Sequence, residues 1–393
     1  MARILFINTV CNGSTGNICK SLYKLAENEG HECCIAYGRG DSPLEYKTIK
    51  IGTSFDVYKH AALARVFDNS GFDSRNATLK FIKEVEKFSP NIIHMHNIHG
   101  YYINVNILFD YLRKHPEIKK IWTLHDCWAY TGRCSHYLYS NCYKWQEKCT
   151  KCEHLDVYPT TYFDHSEKNF MLKKHIFTKI ENMTIVCVSQ WLKEEVERSF
   201  LNKYDIRKIT SGINLEIFQH RESDFRQKYG LQNKKIILGV AQTWTERKGL
   251  DDFIELSKML SDEYKIILIG LSEQQIKQMP NGIIGLGRTK NQMELAEIYS
   301  VADVFFNPTK EETFGLTNIE AQACDTMVCS YEAGGTKETI INENAYLVKD
   351  IRSFKQILEA TSTQIVCEHN EVRNEFEEKR KFLKYLELYN EIL

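Results

Sequence analysis

Short apolar runs alternate along the chain with stretches of helical periodicity. Residues 4–10 form the first run and residues 33–37 the second, followed by 92–95, 121–124 and 185–188. Between the first two lie a Gly/Asn/Ser loop at 11–16 and an amphipathic stretch at 18–26, carrying Leu22 and Leu25 and closed by Gly30. Continuous apolar runs of this length suit strands buried on both faces, and their alternation with helices predicts a parallel sheet covered on each side. The pattern then restarts at 236–240, 265–269, 283–286, 304–306 and 327–330. Two doubly wound α/β domains are therefore predicted, residues 1–214 and 215–375, with the boundary in the turn-rich segment Thr210, Ser211, Gly212, Ile213, Asn214. Residues 371–393 read as one amphipathic helix with Phe376, Leu383, Leu386 and Tyr389 on one side, and residues 376–393 are expected to pack back onto the first domain. Residues 58–67 place Lys59, His60 and Arg65 among apolar neighbours, which fits a lipid-facing helix or a core helix. Its apolar face is expected in the core.

Composition narrows the function classes. The chain has 393 residues, 43% hydrophobic and 26% charged, with 51 Lys and Arg against 52 Asp and Glu. A net charge of -1 argues against a strongly cationic nucleic-acid binder. No run of about 18 apolar residues is found, so a spanning helix is not expected. The first residues, Met1-Ala2-Arg3 and then Ile4-Leu5-Phe6-Ile7, read as a buried strand rather than a signal peptide. Thirteen cysteines, an odd number, do not make a complete disulfide framework.

Three loops carry candidate chemistry. Asn12-Gly13-Ser14-Thr15-Gly16-Asn17 follows a strand and opens a helix, where free N–H groups and the positive helix end favour an anion. It is neither the dinucleotide fingerprint nor a P-loop, and a plain tight turn explains it equally well. Arg247 and Lys248 follow the strand at 236–240, where open α/β sheets bind ligands; two cations there suit a diphosphate, and a solvated basic pair is the plainer alternative. Glu312 and Glu320 lie eight apart around a Phe-Gly-Leu turn entering a helix. Eight helical residues span about 12 Å, longer than the roughly 5–9.5 Å between glycosidase carboxylates. Such a pair suits two acceptors on separate hydroxyls of one extended ligand.

Together these features resemble the family 4 retaining nucleotide-sugar glycosyltransferases, whose signature E-x-F-G-[aliphatic]-x-x-[aliphatic]-E is met by Glu312, Phe314, Gly315, Leu316, Ile319 and Glu320. The likeness extends to Gly13 and Gly16, Arg247-Lys248, Ser211-Gly212-Ile213-Asn214 and Gly334-Gly335-Thr336-Lys337-Glu338, in family order. It implies the GT-B fold, two Rossmann-like domains facing a cleft. It implies that Arg247 and Lys248 hold the donor diphosphate, Glu320 the ribose and Glu312 the transferred sugar. The backbone at Phe314, Gly315 and Leu316 would face sugar and phosphates, Gly16 the diphosphate, and Arg288 and Thr289 the base. His125 would contact the sugar or its developing charge, a structural hydrogen-bonding role being the alternative. No Asp-x-Asp pair occurs, which fits transfer without a catalytic metal. The expected partners are a nucleotide-sugar donor, UDP-linked by family frequency, and a glycan or lipid-linked acceptor in capsule, exopolysaccharide or O-antigen synthesis. The expected location is the cytoplasm, with a peripheral contact on the inner membrane face. A nucleotide-sugar epimerase of the same fold and a non-catalytic binding scaffold are the rivals. No nucleic-acid partner is expected.

Cys134, Cys142, Cys149 and Cys152 follow the His125-Asp126-Cys127-Trp128 stretch. Cys149-x-x-Cys152 is a half-site of the structural zinc type, which two upstream cysteines could complete, although the overall spacing is no standard finger. Structural zinc and free thiols both stay open. His94 and His96 share one strand face and, with His99, are expected at an acceptor-side pocket or a hydrogen-bonded strand end rather than at a metal.

Overall fold

The computed structural model describes residues 1–360 and 370–393. They form two compact units, Met1–Thr210 with Lys381–Leu393, and Ser211–Arg380. In the first unit, β1 (Arg3–Val10), β2 (Glu32–Arg39), β3 (Thr48–Lys50), β4 (Ile92–Met95), β5 (Lys119–Leu124), β6 (Met183–Cys187) and β7 (Asp205–Lys208) build one sheet. Its order is β3-β2-β1-β4-β5-β6-β7, and β1 pairs in parallel with β2 on one side and β4 on the other. Ile4, Leu5, Phe6 and Ile7 have no exposed surface, as a central strand with both faces covered requires.

The second unit repeats this plan with β8 (Lys235–Val240), β9 (Tyr264–Ile269), β10 (Ile283–Leu286), β11 (Val304–Asn307), β12 (Met327–Tyr331) and β13 (Ala345–Val348). The order is β10-β9-β8-β11-β12-β13. Each sheet grows outward in both directions from its first strand. The order therefore reverses between β1 and β4 in one unit, and between β8 and β11 in the other. Loops leaving the carboxyl ends of two such strands diverge and leave a crevice where ligands of doubly wound sheets bind.

Two expectations are corrected. The terminal helix is broken: Asn370–Phe376 and Glu378–Ile392 are separate helices. At the break Ile213 N donates to Phe376 O at 2.9 Å and Glu378 N donates to Ile213 O at 3.0 Å, so a strand-like bridge replaces the helical bonds. Gly212 permits this crossing, since a Cβ there would lie 2.6 Å from Glu378 Cα. The second helix does join the first unit, but it buries Phe382, Tyr385, Leu386 and Tyr389 and leaves Leu383 exposed.

The second correction concerns Ser54–Phe67. It forms a helix opened by a reciprocal capping box between Thr53 and Asp56. Only His60 and Ala64 are fully buried on it, and its aromatic residues Phe55 and Tyr58 stand in solvent. Among the described residues no helix is long and apolar enough to cross a membrane.

Candidate functional site

In the second unit, the reversal of strand order brings the loop after β8 beside the loop after β11. Arg247 and Lys248 lie on a single 3-10 turn, Glu246–Lys248, and face the segment that carries Glu311 and Glu312. Arg247 donates from its guanidinium to Glu311 O at 2.8 Å, and Lys310 N donates back to Arg247 O at 2.8 Å. Lys248 forms an ion pair with Glu312. An ammonium carries three donors, so Lys248 can keep this contact and still offer two to a ligand. The packing that holds the two loops together is tight. Gly249 has φ +78°, and a Cβ on it would lie 2.5 Å from Pro308.

The next positions present backbone rather than side chains. Phe314 is buried, its ring 5.9 Å from that of Phe376, so only its main chain can meet a ligand. Gly315 has φ +103° and stands just before the helix Leu316–Ala323. A side chain at that angle would be strained, and its absence leaves the first N–H groups of the helix approachable. Glu312 O accepts from Gly335 N at 2.9 Å, which ties in the loop after β12. Asn318 locks the helix from beneath, accepting from Asn307 Nδ2 at 2.8 Å and donating to Thr339 Oγ1 at 2.9 Å.

Glu320 projects from the same helix and accepts a hydrogen bond from Tyr299 OH at 3.2 Å. Burial pushes its carboxyl up to about 7, and the tyrosine donor offsets part of that rise. Tyr299 was not legible as a site residue, since nothing in the sequence marks an ordinary helix tyrosine 21 positions upstream. On the other side of β8, Arg288 donates to Gln242 O at 3.1 Å and is otherwise exposed, with Thr289 half-buried beside it. Arg247, Lys248, Glu312, Phe314, Gly315 and Leu316 thus lie on adjoining segments beyond β8 and β11. Glu320 stands one helical stretch further, and Arg288 and Thr289 follow β10.

The first unit builds its own crevice from different material. Gly13, at φ +82°, precedes the helix Ser14–Asn28. Gly16 faces the end of β1 so closely that a Cβ would lie 2.5 Å from Cys11 C. Asn8 stitches the two sides of the strand-order reversal together, donating to Val10 O and Thr15 Oγ1 and accepting from Asn97 N. His125 follows β5, and its Nε2 lies 3.0 Å from His96 Nδ1, so one proton is shared along that line. His94 sits between Tyr389 OH at 2.7 Å and Thr123 Oγ1 at 2.8 Å. Burial lowers His125 to about 4 and His94 to about 3, and it lowers His96 as well. All three rings are neutral at neutral pH. His99 Nε2 meets Asp126 Oδ2 at 2.7 Å. Burial alone would raise Asp126, but His99 and His136 hold it down at about 2.

The cysteine-rich loop does not gather into the zinc set that Cys134, Cys142, Cys149 and Cys152 suggested. Among the described residues no group of three or more His, Cys, Asp or Glu side chains is arranged to hold a metal ion. Cys149 Sγ instead accepts from Gly132 N at 3.1 Å. A buried ion pair and a buried lysine, whose ammonium burial brings down to about 7, pin the loop. Arg133 donates to Asp68 Oδ1 at 3.0 Å and to His154 O at 2.8 Å, with the side chains of the Arg133–Asp68 pair each 2% exposed. Lys173 Nζ donates to Trp128 O at 2.7 Å and lies over the Trp128 ring.

Residues 221–381 match the family described as "Glycosyl transferases group 1". The chain is 25% identical over 220 residues to a putative colanic acid biosynthesis glycosyl transferase, WcaC, of Escherichia coli, covering 52% of this chain and 53% of that protein. It is 27% identical over 196 residues to a capsular polysaccharide biosynthesis glycosyltransferase, CapM, of Staphylococcus aureus, covering 44% and 50%. The chain thus spans about half the length of these relatives. Sucrose-phosphate synthase from Thermosynechococcus elongatus superposes with a TM-score of 0.75 at 17% identity, covering 100% of this chain and 99% of that one. Anabaena HepE in complex with UDP and glucose gives 0.67 at 13% identity, with both chains fully covered. The fold is GT-B, two Rossmann-like domains with parallel sheets of seven and six strands.

Proposed function

We propose that the protein is a retaining glycosyltransferase that moves a sugar from a nucleotide donor, UDP-linked, to a glycan or lipid-linked acceptor in surface polysaccharide synthesis. The observation that carries this reading is the pairing of Lys248 with Glu312, beside Arg247, where the strand order of the second unit reverses. Cations and helix N–H groups fixed at one point suit a leaving diphosphate, because they meet its charge without reorganising as it forms. In this reading Arg247 and Lys248 hold the diphosphate, and no catalytic metal is needed for that task. Glu312 accepts from hydroxyls of the transferred sugar, and Glu320 from the ribose. Arg288 and Thr289 flank the base. The acceptor hydroxyl attacks the anomeric carbon on the face that the diphosphate leaves. The bond from that carbon to the diphosphate oxygen breaks as the new glycosidic bond forms, and the hydroxyl proton passes to the departing oxygen.

His125, neutral at neutral pH, can serve the sugar only as a hydrogen-bonding group and not as a fixed cation. Capsule and colanic acid relatives support a surface polysaccharide as the product. The test is a panel of UDP, GDP and ADP with their sugar conjugates, read by thermal shift and by nucleotide release with a glycan extract as acceptor. Stabilisation by one nucleotide class of about 2.7 kcal/mol at 100 times Kd is expected, lost in Arg247→Ala. Silence from a folded sample would leave the scaffold reading. Conversion of the donor sugar without acceptor would favour the epimerase.

A further inference from the structure

Two ring nitrogens of the first unit, His96 Nε2 and His99 Nδ1, are buried with no hydrogen-bond partner among the described residues. Both residues line one small cavity of about 10 Å³, together with His125, Asp126, Trp122 and Trp128. A space of that size takes a single water, which needs two or more polar partners, and these two nitrogens supply them. The backbone of His96 is fixed on both sides: its N donates to Ile7 O at 2.9 Å and its O accepts from Trp122 Nε1 at 3.1 Å. Its ring stacks on that of His94, with centroids 4.3 Å apart. Both nitrogens of His94 are taken up, by Tyr389 and Thr123, so that ring offers His96 no hydrogen bond. His96 therefore bonds in two directions: from Nδ1 to His125 Nε2 at 3.0 Å, and from Nε2 into the cavity.

The far end of this line sets its direction. Asp126, with its carboxyl at about 2, is ionised at neutral pH, and a carboxylate only accepts. His99 therefore donates from Nε2 to Asp126 Oδ2 at 2.7 Å, and a neutral ring protonated there presents a bare Nδ1 to the cavity. A water in the cavity then donates to His99 Nδ1 and accepts from His96 Nε2. With that nitrogen protonated, His96 Nδ1 is bare and accepts from His125 Nε2. In this order every N–H points towards the carboxylate, and each bond polarises the next. The opposite order would have the water donate to both rings and would turn the His96 N–H away from the charge.

We propose that His96 is a positioning residue which, backed by His99 and Asp126, fixes the proton of His125 on Nε2 and leaves Nδ1 as an acceptor. The inference deepens the transferase reading and rests on it for one consequence: a hydroxyl of the transferred sugar donates to His125 Nδ1 rather than accepting from it. The first test needs no activity. NMR of the full chain, labelled with heavy nitrogen in its histidine rings, should show His125 protonated at Nε2 and bare at Nδ1 around neutral pH, since that ring titrates only near 4. Its signals are those lost in His125→Asn. His96→Leu and His99→Leu should each admit the second tautomer of His125, whereas His96→Asn, whose amide oxygen can accept in place of Nδ1, should keep Nε2 protonated. In a transfer assay His96→Leu should lower kcat about tenfold with the donor KM unchanged, the size expected for coupling between touching residues. His96→Asn should restore most of that loss, and His96→Leu/His125→Asn should lose no more than His125→Asn alone, because His96 acts through that ring. A wild-type His125 protonated at Nδ1 overturns the proposal, as does an unchanged tautomer in either folded leucine variant. Should transfer itself be absent, the ring signals still decide the tautomer; a wrong tautomer with transfer intact removes this inference alone.

Discussion

The two units repeat one sheet plan and use its strand-order reversal in opposite electrostatic ways. Beyond β8 and β11 the second unit sets side by side an arginine, a lysine and a glutamate, the last two as a direct ion pair. Beyond β1, β4 and β5 the first unit sets His96 and His125, both neutral through burial and sharing a proton along one nitrogen–nitrogen line. The difference follows from how each site is made. Arg247 and Lys248 sit on an exposed-side 3-10 turn and stay half-solvated, so keeping their charge costs little. His96 is fully buried at the end of β4 and stacks on the half-buried ring of His125 beyond β5, and desolvation lowers both. The same topological position can therefore hold charged side chains or unionised hydrogen-bonding groups, according to the neighbours each meets: a carboxylate beside Lys248, a buried neutral ring beside His125.

The contrast can be broken most severely away from both crevices. Arg133→Met leaves Asp68 buried without its cation, and a loss of about 3–5 kcal/mol is expected in chemical denaturation. EDTA should leave the melting temperature unchanged, in keeping with a loop held by the Arg133–Asp68 pair and the hydrogen bonds of Lys173. Next comes the charged crevice. Lys248→Ala should lower kcat/KM for transfer by about 10²–10³ while the melting curve stays put, as removal of one preorganised donor does elsewhere.

Glu320 gives a smaller effect with a definite pH window. Its carboxyl is raised from 4.5 to about 7, so the folded state holds that proton more tightly than the unfolded chain. The stability it contributes is full below about 4.5 and is lost as pH rises through about 7. Glu320→Gln should flatten the pH dependence of the melting temperature in this window and be the more stable form above it. Nucleotide affinity should move the other way in the wild type, rising severalfold through the same pH range as the carboxylate forms. Tyr299→Phe removes the donor that favours the carboxylate and should shift that midpoint upward.

The smallest change belongs to the neutral crevice. His125→Asn should cost about tenfold in rate, equally at every pH near neutrality, because the ring titrates only near 4. A rate that instead followed an imidazole titrating near 6.5 would remove the distinction between the two crevices.

Strands and signature were readable for a simple reason: both depend on residues close in sequence. A parallel strand buried on two faces must be a short unbroken apolar run, and 236–240 or 265–269 could hardly be anything else. Glu312, Gly315 and Glu320 are fixed by one turn and one helix. Tyr299 beneath Glu320, Asp68 against Arg133 at a separation of 65 residues, and Tyr389 against His94 at 295 leave no local pattern. The terminal helix misled because its periodicity carries through Glu377, where the backbone bonds go to Ile213 instead. The cysteines left zinc and free thiols both open because spacing sets only which ligands could meet, and it does not show the contacts that Arg133 and Lys173 make with the loop.

What the sequence by itself determined is the alternation of elements, the doubly wound class of both units and the turn that carries Glu312 and Gly315, since hydrophobic period and glycine placement act over a few residues. Only the tertiary structure decided which charges survive and which faces stay open. Ionisation depends on the depth to which distant segments bury a group, as at His125 and Glu320. Exposure depends on whether another element arrives to cover a face. Among the described residues none covers Phe55 and Tyr58, although their sequence reads like that of a core helix.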